Sequence, residues 1–309
     1  MNKFTKIACA VGAVAFAAGS ALATPLSDFN LIVAGDWQTG SNTWGRVAVG
    51  GNASGNWTDI GTRLNAGAVA GTDTLIVAGN ASNGFNMQAG NARFGGTFTG
   101  GFNANGGGSY ATNVPGTTEL VGGIVSEVRS MSSTLAALPA NASFTQSGNA
   151  GFFDASGLSG TVVFNIGAAI LSSNAFANFS LLNAQNAAAI VINVDTSATS
   201  GDANFTAGNF LAQTFSDYAD RLVWNFAGAD NILVQREVFG AMIGLDAHLH
   251  NQANLNGSIA VGSFNQQGEV HWPNFVPEFP EESTLVPLPS AAGMTLAGLA
   301  MIGTRRRRA

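Results

Sequence analysis

Arg46-Val47-Ala48-Val49-Gly50-Gly51-Asn52 and Leu75-Ile76-Val77-Ala78-Gly79-Asn80 each set a short apolar run directly before a glycine-asparagine break, and their reading decides the fold. Four to six apolar residues between such breakers form strands, because an amphipathic helix needs a longer run with three- and four-residue spacing. Leu31-Ile32-Val33 and Phe94 to Phe98 supply further runs, and Ala89-Gly90-Asn91 repeats the break. Recurrence at loosely regular intervals is the signature of stacked turns, in which Asn and Gly accept the left-handed conformation at corners while Val, Ile, Leu and Phe point inward. The predicted architecture is mainly β, a β-helix-like solenoid. The repeat is imperfect, so a β-sandwich is the alternative.

One segment breaks the rhythm. Thr117 or Thr118 offers a helix cap, and Leu120, Val121, Ile124, Val125, Val128, Met131, Leu135 and Leu138 then recur at helical spacing until Pro139. The spacing predicts one amphipathic helix over about 117–138, flanking the sheet stack and covering an apolar face or edge. Strands resume with Thr161 to Ile166, Ala189 to Val194, Leu222 to Phe226, Ile232 to Val234, Ala241 to Ile243 and Gly257 to Val261. Several are apolar at consecutive positions, which favours burial on both faces or parallel pairing.

The ends have a different character. Lys3 and Lys6 precede an apolar stretch from Ile7 to Ala17, and Ala21-Leu22-Ala23 offers small residues to signal peptidase, so residues 1–23 are expected to be a cleaved signal peptide. Cys9, the single cysteine, lies inside it, which leaves the mature chain without disulfides or thiolate sites. The domain is placed at 24–276 and an acidic, proline-containing linker at 277–285. Residues 286–309 then read Val286-Pro287-Leu288-Pro289-Ser290, a short apolar stretch, and Arg305, Arg306, Arg307 and Arg308. Arginines after an apolar stretch form a stop-transfer arrangement, so membrane attachment through this segment is expected.

Charge narrows the partners. Between Thr24 and Thr304 six arginines and no lysine face eighteen acidic residues, a net charge of −12. Nucleic acid is excluded as a partner, since phosphate binding relies on clustered Lys and Arg. The 46% hydrophobic content with 21 Phe argues for a packed chain over a disordered one.

The C-terminal residues Val286 to Ala309 resemble the PEP-CTERM class of sorting signals, in the variant reading VPLPA where this chain has Ser290 last. That resemblance implies processing by an exosortase-type enzyme. The body resembles the choice-of-anchor A family of bacterial surface proteins. It does so through Phe29 to Asp36, Gly45 to Asn52, Leu75 to Asn80, Gly257 to Val261 and Gly268-Glu269-Val270-His271. What this implies is a secreted adhesive or matrix domain of a Gram-negative-type bacterium. It also implies a solenoid with an accompanying helix, similar in outline to bacterial ice-binding domains, and no catalytic set. The expected route is export, an inner-membrane intermediate, then the cell surface or extracellular space, with surface polysaccharide or a matrix protein as partner.

Chemistry-bearing residues are sparse. Asp246, His248 and His250 alternate and would share one face of a strand, a spacing that could hold a metal, but no fourth ligand is identifiable. Calcium held by Asp/Asn loops is the ion better suited to an acidic exported repeat fold, although no loop motif is complete. No cofactor is expected. Asp217 with Asp220, or Asp195 with Asp202, would serve a polysaccharide-active enzyme, the alternative to a non-enzymatic binding module. Thr97-Phe98-Thr99 and Thr72-Asp73-Thr74 are too isolated for the flat threonine row that ice recognition requires. Trp37, Trp44 and Trp57 concentrate near the start of the domain, as a cap over the last turn of the solenoid or as a contact platform.

Overall fold

The computed structural model describes residues 24–277. The signal-peptide segment 1–23, the linker beyond Pro277, the sorting motif Val286 to Ser290 and the arginines Arg305 to Arg308 lie outside the described residues.

Ten strands pair side by side, all in parallel, to make the first face of a three-sided coil. Their order is Tyr110–Ala111, Asn91–Phe94, Asp73–Val77, Val47–Val49, Leu31–Val33, Ile259–Gln266, Ala241–Asn251, Leu222–Asn225, Ala187–Asp195, Gly160–Gly167. One turn of the coil takes 16 residues from Leu31 to Val47 and 17 from Leu75 to Ala92. A second face runs through Asp202–Phe205, Asn231–Val234, the ends of Ala241–Asn251 and Ile259–Gln266, then Trp37–Thr39 and Ala53–Gly55. A third carries Val238–Phe239, Leu255–Asn256 and Val270–His271, joined through Thr43 to Thr58–Ile60, Phe85–Met87 and Phe102–Asn103. This is a β-helix-like solenoid. Parallel pairing of successive turns is incompatible with a sandwich, whose sheets are antiparallel.

The strand order shows that the chain does not start at an end of the stack. It enters in the middle at Leu31–Val33, climbs to the edge strand Tyr110–Ala111, and crosses to the opposite edge at Gly160–Gly167. From there it climbs back until Ile259, Ala260 and Val261 pair with Leu31, Ile32 and Val33. The crossing is made by the long helix Thr117–Ala137, whose 21 residues span about 31 Å. The hairpin Ser143–Ser147 with Ala150–Asp154 closes the far end, where its own Phe144 and Phe153 cluster with Phe176 and Phe179. At the near end Phe94, Phe98, Phe102 and Tyr110 form the corresponding aromatic cluster.

Alternation places Leu31, Val33, Val47, Val49, Leu75 and Val77 inside the coil. Their neighbours Ile32, Ala48 and Ile76 point the other way and are also buried, as are Val191, Val223 and Ile243. The long helix lies over this outer side and presents Val121, Val128 and Leu135, all fully buried, each contributing about 1.5–3 kcal/mol. Two-sided burial is why the first-face strands read as unbroken apolar triplets. The helix ends before Pro139 with Leu138 as its C-cap. Its N-cap differs from expectation: Gly116, in the left-handed region at φ 76°, occupies that position. Thr117 is instead buried one residue in, its hydroxyl donating to the Val114 carbonyl and accepting from Arg93 Nε at 2.9 Å.

The glycine-asparagine breaks also work differently from the expectation. Gly50, Gly51 and Gly79 have ordinary φ; they are glycines because a Cβ would run into the turn below, at Gly79 within 2.6 Å of the Gly51 carbonyl oxygen. The asparagines form a column down that corner. Asp36 Oδ1 accepts the Asn52 backbone N–H at 2.7 Å, Asn52 Oδ1 accepts that of Asn80 at 3.0 Å, and Asn80 Oδ1 accepts that of Thr97 at 2.9 Å. Side chains thereby satisfy backbone donors that the bend removes from the strand ladder. Of the three breaks only Ala89-Gly90-Asn91 uses the left-handed region, at Gly90 with φ 67°.

Candidate functional site

The third face carries a continuous row of polar side chains flanked by aromatic ones. Outward positions on six successive turns are Asn254, Glu269, Asn42, Asp59, Asn86 and Asn103, and hydrogen bonds connect each to the next. Asn254 Oδ1 accepts the Glu269 backbone N–H at 3.1 Å, and the Asn42 amide donates to Glu269 Oε1 at 3.3 Å. Asn42 Oδ1 accepts the Asp59 backbone N–H at 3.1 Å. The Asn86 amide then donates to Asp59 Oδ1 at 2.6 Å and the Asn103 amide to Asn86 Oδ1 at 2.7 Å. At a strand spacing of about 4.8 Å the ladder extends about 24 Å.

Aromatic residues flank it on both sides. Two residues beyond Asn42, Trp44 stacks on His271 with ring centroids 4.0 Å apart, and Arg63 lies 4.3 Å over the same indole. Trp44 Nε1–H donates to Glu269 Oε2 at 3.2 Å, and His271 Nε2 lies 2.8 Å from that oxygen. Partial burial raises the Glu269 pKa, but the bonds from His271, Trp44 and Asn42 together with the His271 charge outweigh it and hold the carboxyl below its ordinary value. On the other side, two residues before Asp59, Trp57 is 52% exposed. Its indole lies over Gly84 and Gly101 of the next two turns, where a Cβ on either glycine would overlap the ring.

The three tryptophans are therefore not one group. Trp37 is fully buried in the core, its Nε1–H donating to Gln266 Oε1 at 3.1 Å, while Trp44 is half-buried and Trp57 is open to solvent. None closes an end of the stack, because the chain starts in mid-stack and the ends are closed by the phenylalanine clusters. The platform role is left to Trp57.

Asp246, His248 and His250 do share a strand, Ala241–Asn251, with Ala247 and Leu249 buried between them. Each has a different environment. Asp246 pairs with Arg129 of the long helix at 2.9 Å, His248 Nδ1 lies 2.8 Å from Ser263 Oγ, and the His250 Nε2 is buried without a partner. Among the described residues no group of three His, Cys, Asp or Glu side chains is placed to hold a metal ion. The acidic pairs are likewise occupied separately: Asp195 accepts from the Ser197 backbone, Asp202 from Asn231, and Asp220 lies 3.8 Å from Arg221. Thr97 ends an asparagine column and Thr74 is buried, so neither belongs to an exposed threonine row. No helix of the described residues is long and apolar enough to cross a membrane.

The ladder itself escaped the sequence reading, which sought corner motifs and metal spacings. Its signal was present: Asn42 and Asp59, Asn86 and Asn103, and Gly84 and Gly101 are each separated by 17 residues, the length of a coil turn.

Solved structures similar to this chain include an ice-binding protein from the Antarctic ascomycete Antarctomyces psychrotrophicus. It has 12% identity and a TM-score of 0.36, and the match covers 81% of this chain and 97% of that one. An ice-binding protein domain from Shewanella frigidimarina shows 12% identity over 82% of this chain and 99% of its own, with a TM-score of 0.28. No curated protein matches the sequence. A family profile does, over residues 22–272, the segment that contains every strand and the long helix described above. With that match covering most of its length, the chain belongs to the family described as "Putative Ice-binding-like adhesive domain".

Proposed function

We propose that this protein is an exported, non-enzymatic adhesin of the bacterial cell surface or extracellular matrix, acting in attachment, biofilm or envelope organisation. The observation that carries the reading is membership of an adhesive-domain family over residues 22–272. The long polar ladder on one side face supports it, since a repeated row of hydrogen-bonding groups suits broad contact with a surface. Signal peptidase would remove residues 1–23. An exosortase-type enzyme would process Val286 to Ser290 while the arginines Arg305 to Arg308 stay cytoplasmic, in the manner of choice-of-anchor A proteins with a PEP-CTERM tail. Attachment at the inner membrane is then a step on the way outward.

Fractionation of cells expressing the full chain, and a chain lacking Val286 to Ala309, tests the route. The full chain is expected in the envelope and outer fractions and the shortened chain in the soluble exported fraction; full envelope retention of the shortened chain would overturn the sorting step. Loss of cell attachment on deletion of the whole coding sequence is the expected outcome for adhesion, and unchanged attachment would overturn it.

A further inference from the structure

We propose that the third face carries a glycan-binding subsite. The open side of the Trp57 indole stacks on a sugar ring, the Asp59, Asn86 and Asn103 ladder beside it hydrogen-bonds the hydroxyls, and the ligand is an uncharged polysaccharide. The inference rests on the adhesive reading and names the chemistry that reading leaves open.

Trp57 is the anchor. Of the five tryptophans, Trp37 and Trp224 are fully buried, Trp44 is half-buried and Trp272 is 40% exposed, whereas Trp57 is the most open at 52%. Its position is nonetheless fixed by the fold. Gly84 and Gly101 lie directly beneath the ring, and neither has a φ in the left-handed region, so no turn requires glycine there. What requires it is the indole, because any side chain at either position would lift the ring from the sheet. The result is an indole laid flat on two turns of bare backbone, one side held and the other free. A rigid aromatic surface of this kind binds at low entropic cost and favours the C–H faces of a sugar ring.

The row beside it supplies the polar half. Asp59, Asn86 and Asn103 stand two residues after Trp57, Gly84 and Gly101, hence on the same side of the sheet. The ladder engages one carboxylate oxygen of Asp59, one N–H of Asn86 and one N–H of Asn103. It leaves the second Asp59 oxygen, a further N–H on each amide and the Asn103 carbonyl oxygen for a ligand. These groups recur once per turn, a spacing comparable with one pyranose unit, so successive sugars of a polymer meet equivalent partners.

Charge selects the class. Asp59, Glu237 and Glu269 make this face acidic, the domain has no lysine, and Arg63 is engaged over Trp44. Uronate or sulfated chains would be repelled. A protein partner fits less well, since protein interfaces gather a cluster of apolar residues at their centre, and here the row offers one indole set among glycines and a polar ladder.

The test uses the full chain on four immobilised surfaces: cellulose, chitin, alginate and collagen. Retention is expected on cellulose or chitin and not on alginate. Trp57→Ala should weaken it about tenfold and Trp57→Phe by less, with Trp57→Phe melting close to wild type because it keeps an aromatic ring on Gly84 and Gly101. A soluble neutral oligosaccharide should shift the tryptophan emission of the wild type and not of Trp57→Phe. The subsite is overturned if the wild type binds neither neutral glycan, if Trp57→Ala binds as well as wild type, or if alginate is held as tightly. Retention on collagen alone overturns the glycan while leaving the adhesive reading in place. Trp57-dependent glycan retention in a protein whose deletion leaves cell attachment unchanged keeps the subsite and removes the adhesive reading.

Discussion

Glu269 shows how a single side chain ties two turns of the third face together. Its carboxylate accepts from Trp44 and Asn42 and lies against His271, and these contacts favour the ionised form over the protonated one. A carboxyl whose folded pKa is depressed contributes stability that is complete above its ordinary value, about pH 4.5, and is lost as pH falls through the lower folded value. Glu269→Gln is therefore expected to melt about 2 °C below wild type at pH 7. The gap should close as both are acidified below pH 4, as followed by calorimetry. A gap of constant size down to pH 3 would mean that the contact does not depend on the charge. Residue-level chemistry of this kind was only partly legible in the sequence. Gly268-Glu269-Val270-His271 stood out as a motif, but its partners Trp44 and Asn42 lie more than 220 residues away, and no local pattern announces a bond across that distance.

At the scale of elements, the long helix was the most legible part of the sequence, because a helical period of apolar residues stopped by a proline has no other reading. Which of those residues are buried was not. Leu120 is 43% exposed, while Thr117 is buried, because the helix meets the strands mainly along Val121, Val128 and Leu135. Polar anchors fix its position: the Ser132 hydroxyl donates to Asn225 Oδ1 at 2.6 Å, and the Asn193 amide donates to the Leu135 carbonyl at 2.9 Å. Gly122 and Gly123 have open space around the position of a Cβ. Replacing both with Ala should stabilise the protein by about 1–2 kcal/mol, since each glycine in a helix interior costs about 0.5–1 kcal/mol relative to alanine. Urea titration measures the change. A loss of stability would show that the glycines serve a contact with something else.

The whole molecule is governed by the seam where Leu31, Ile32 and Val33 pair with Ile259, Ala260 and Val261. Short runs and turn breakers made the solenoid readable, yet nothing in the sequence announced that its first strand enters mid-stack, because strand order depends on contacts between the two ends of the chain. The seam is reinforced at its flank, where Ser258 Oγ donates to the Leu26 carbonyl and the Asn30 amide donates to the carbonyls of Gly257 and His271. A chain ending at Gly240 would lack the four strands Ala241–Asn251, Leu255–Asn256, Ile259–Gln266 and Val270–His271, and with them the pairings to Leu31–Val33, Trp37–Thr39 and Thr43. Such a chain is expected to lose cooperative unfolding, seen as a broad, multi-step transition where the full chain gives one; a single sharp transition would show the halves to be independent. Refolding of the full chain from denaturant should be slower than that of small β domains, whose folding takes milliseconds to seconds, because the seam forms only after residues far apart in sequence have met.

The seam has a mechanical consequence as well. The chain leaves the described coil at Pro277, two residues after Phe275, whose backbone N–H is bonded to Ser258 at the waist of the stack. A pull from that side enters the middle of the stack and not either tip. It reaches the Asp59 row across the junction of two neighbouring turns, where Val270 pairs with Thr43 and Glu269 accepts from Asn42 and Trp44. The helix and both aromatic ends stand outside this line of force. A tether attached there would strain the short bridge between grip and anchor and leave the remaining coil slack.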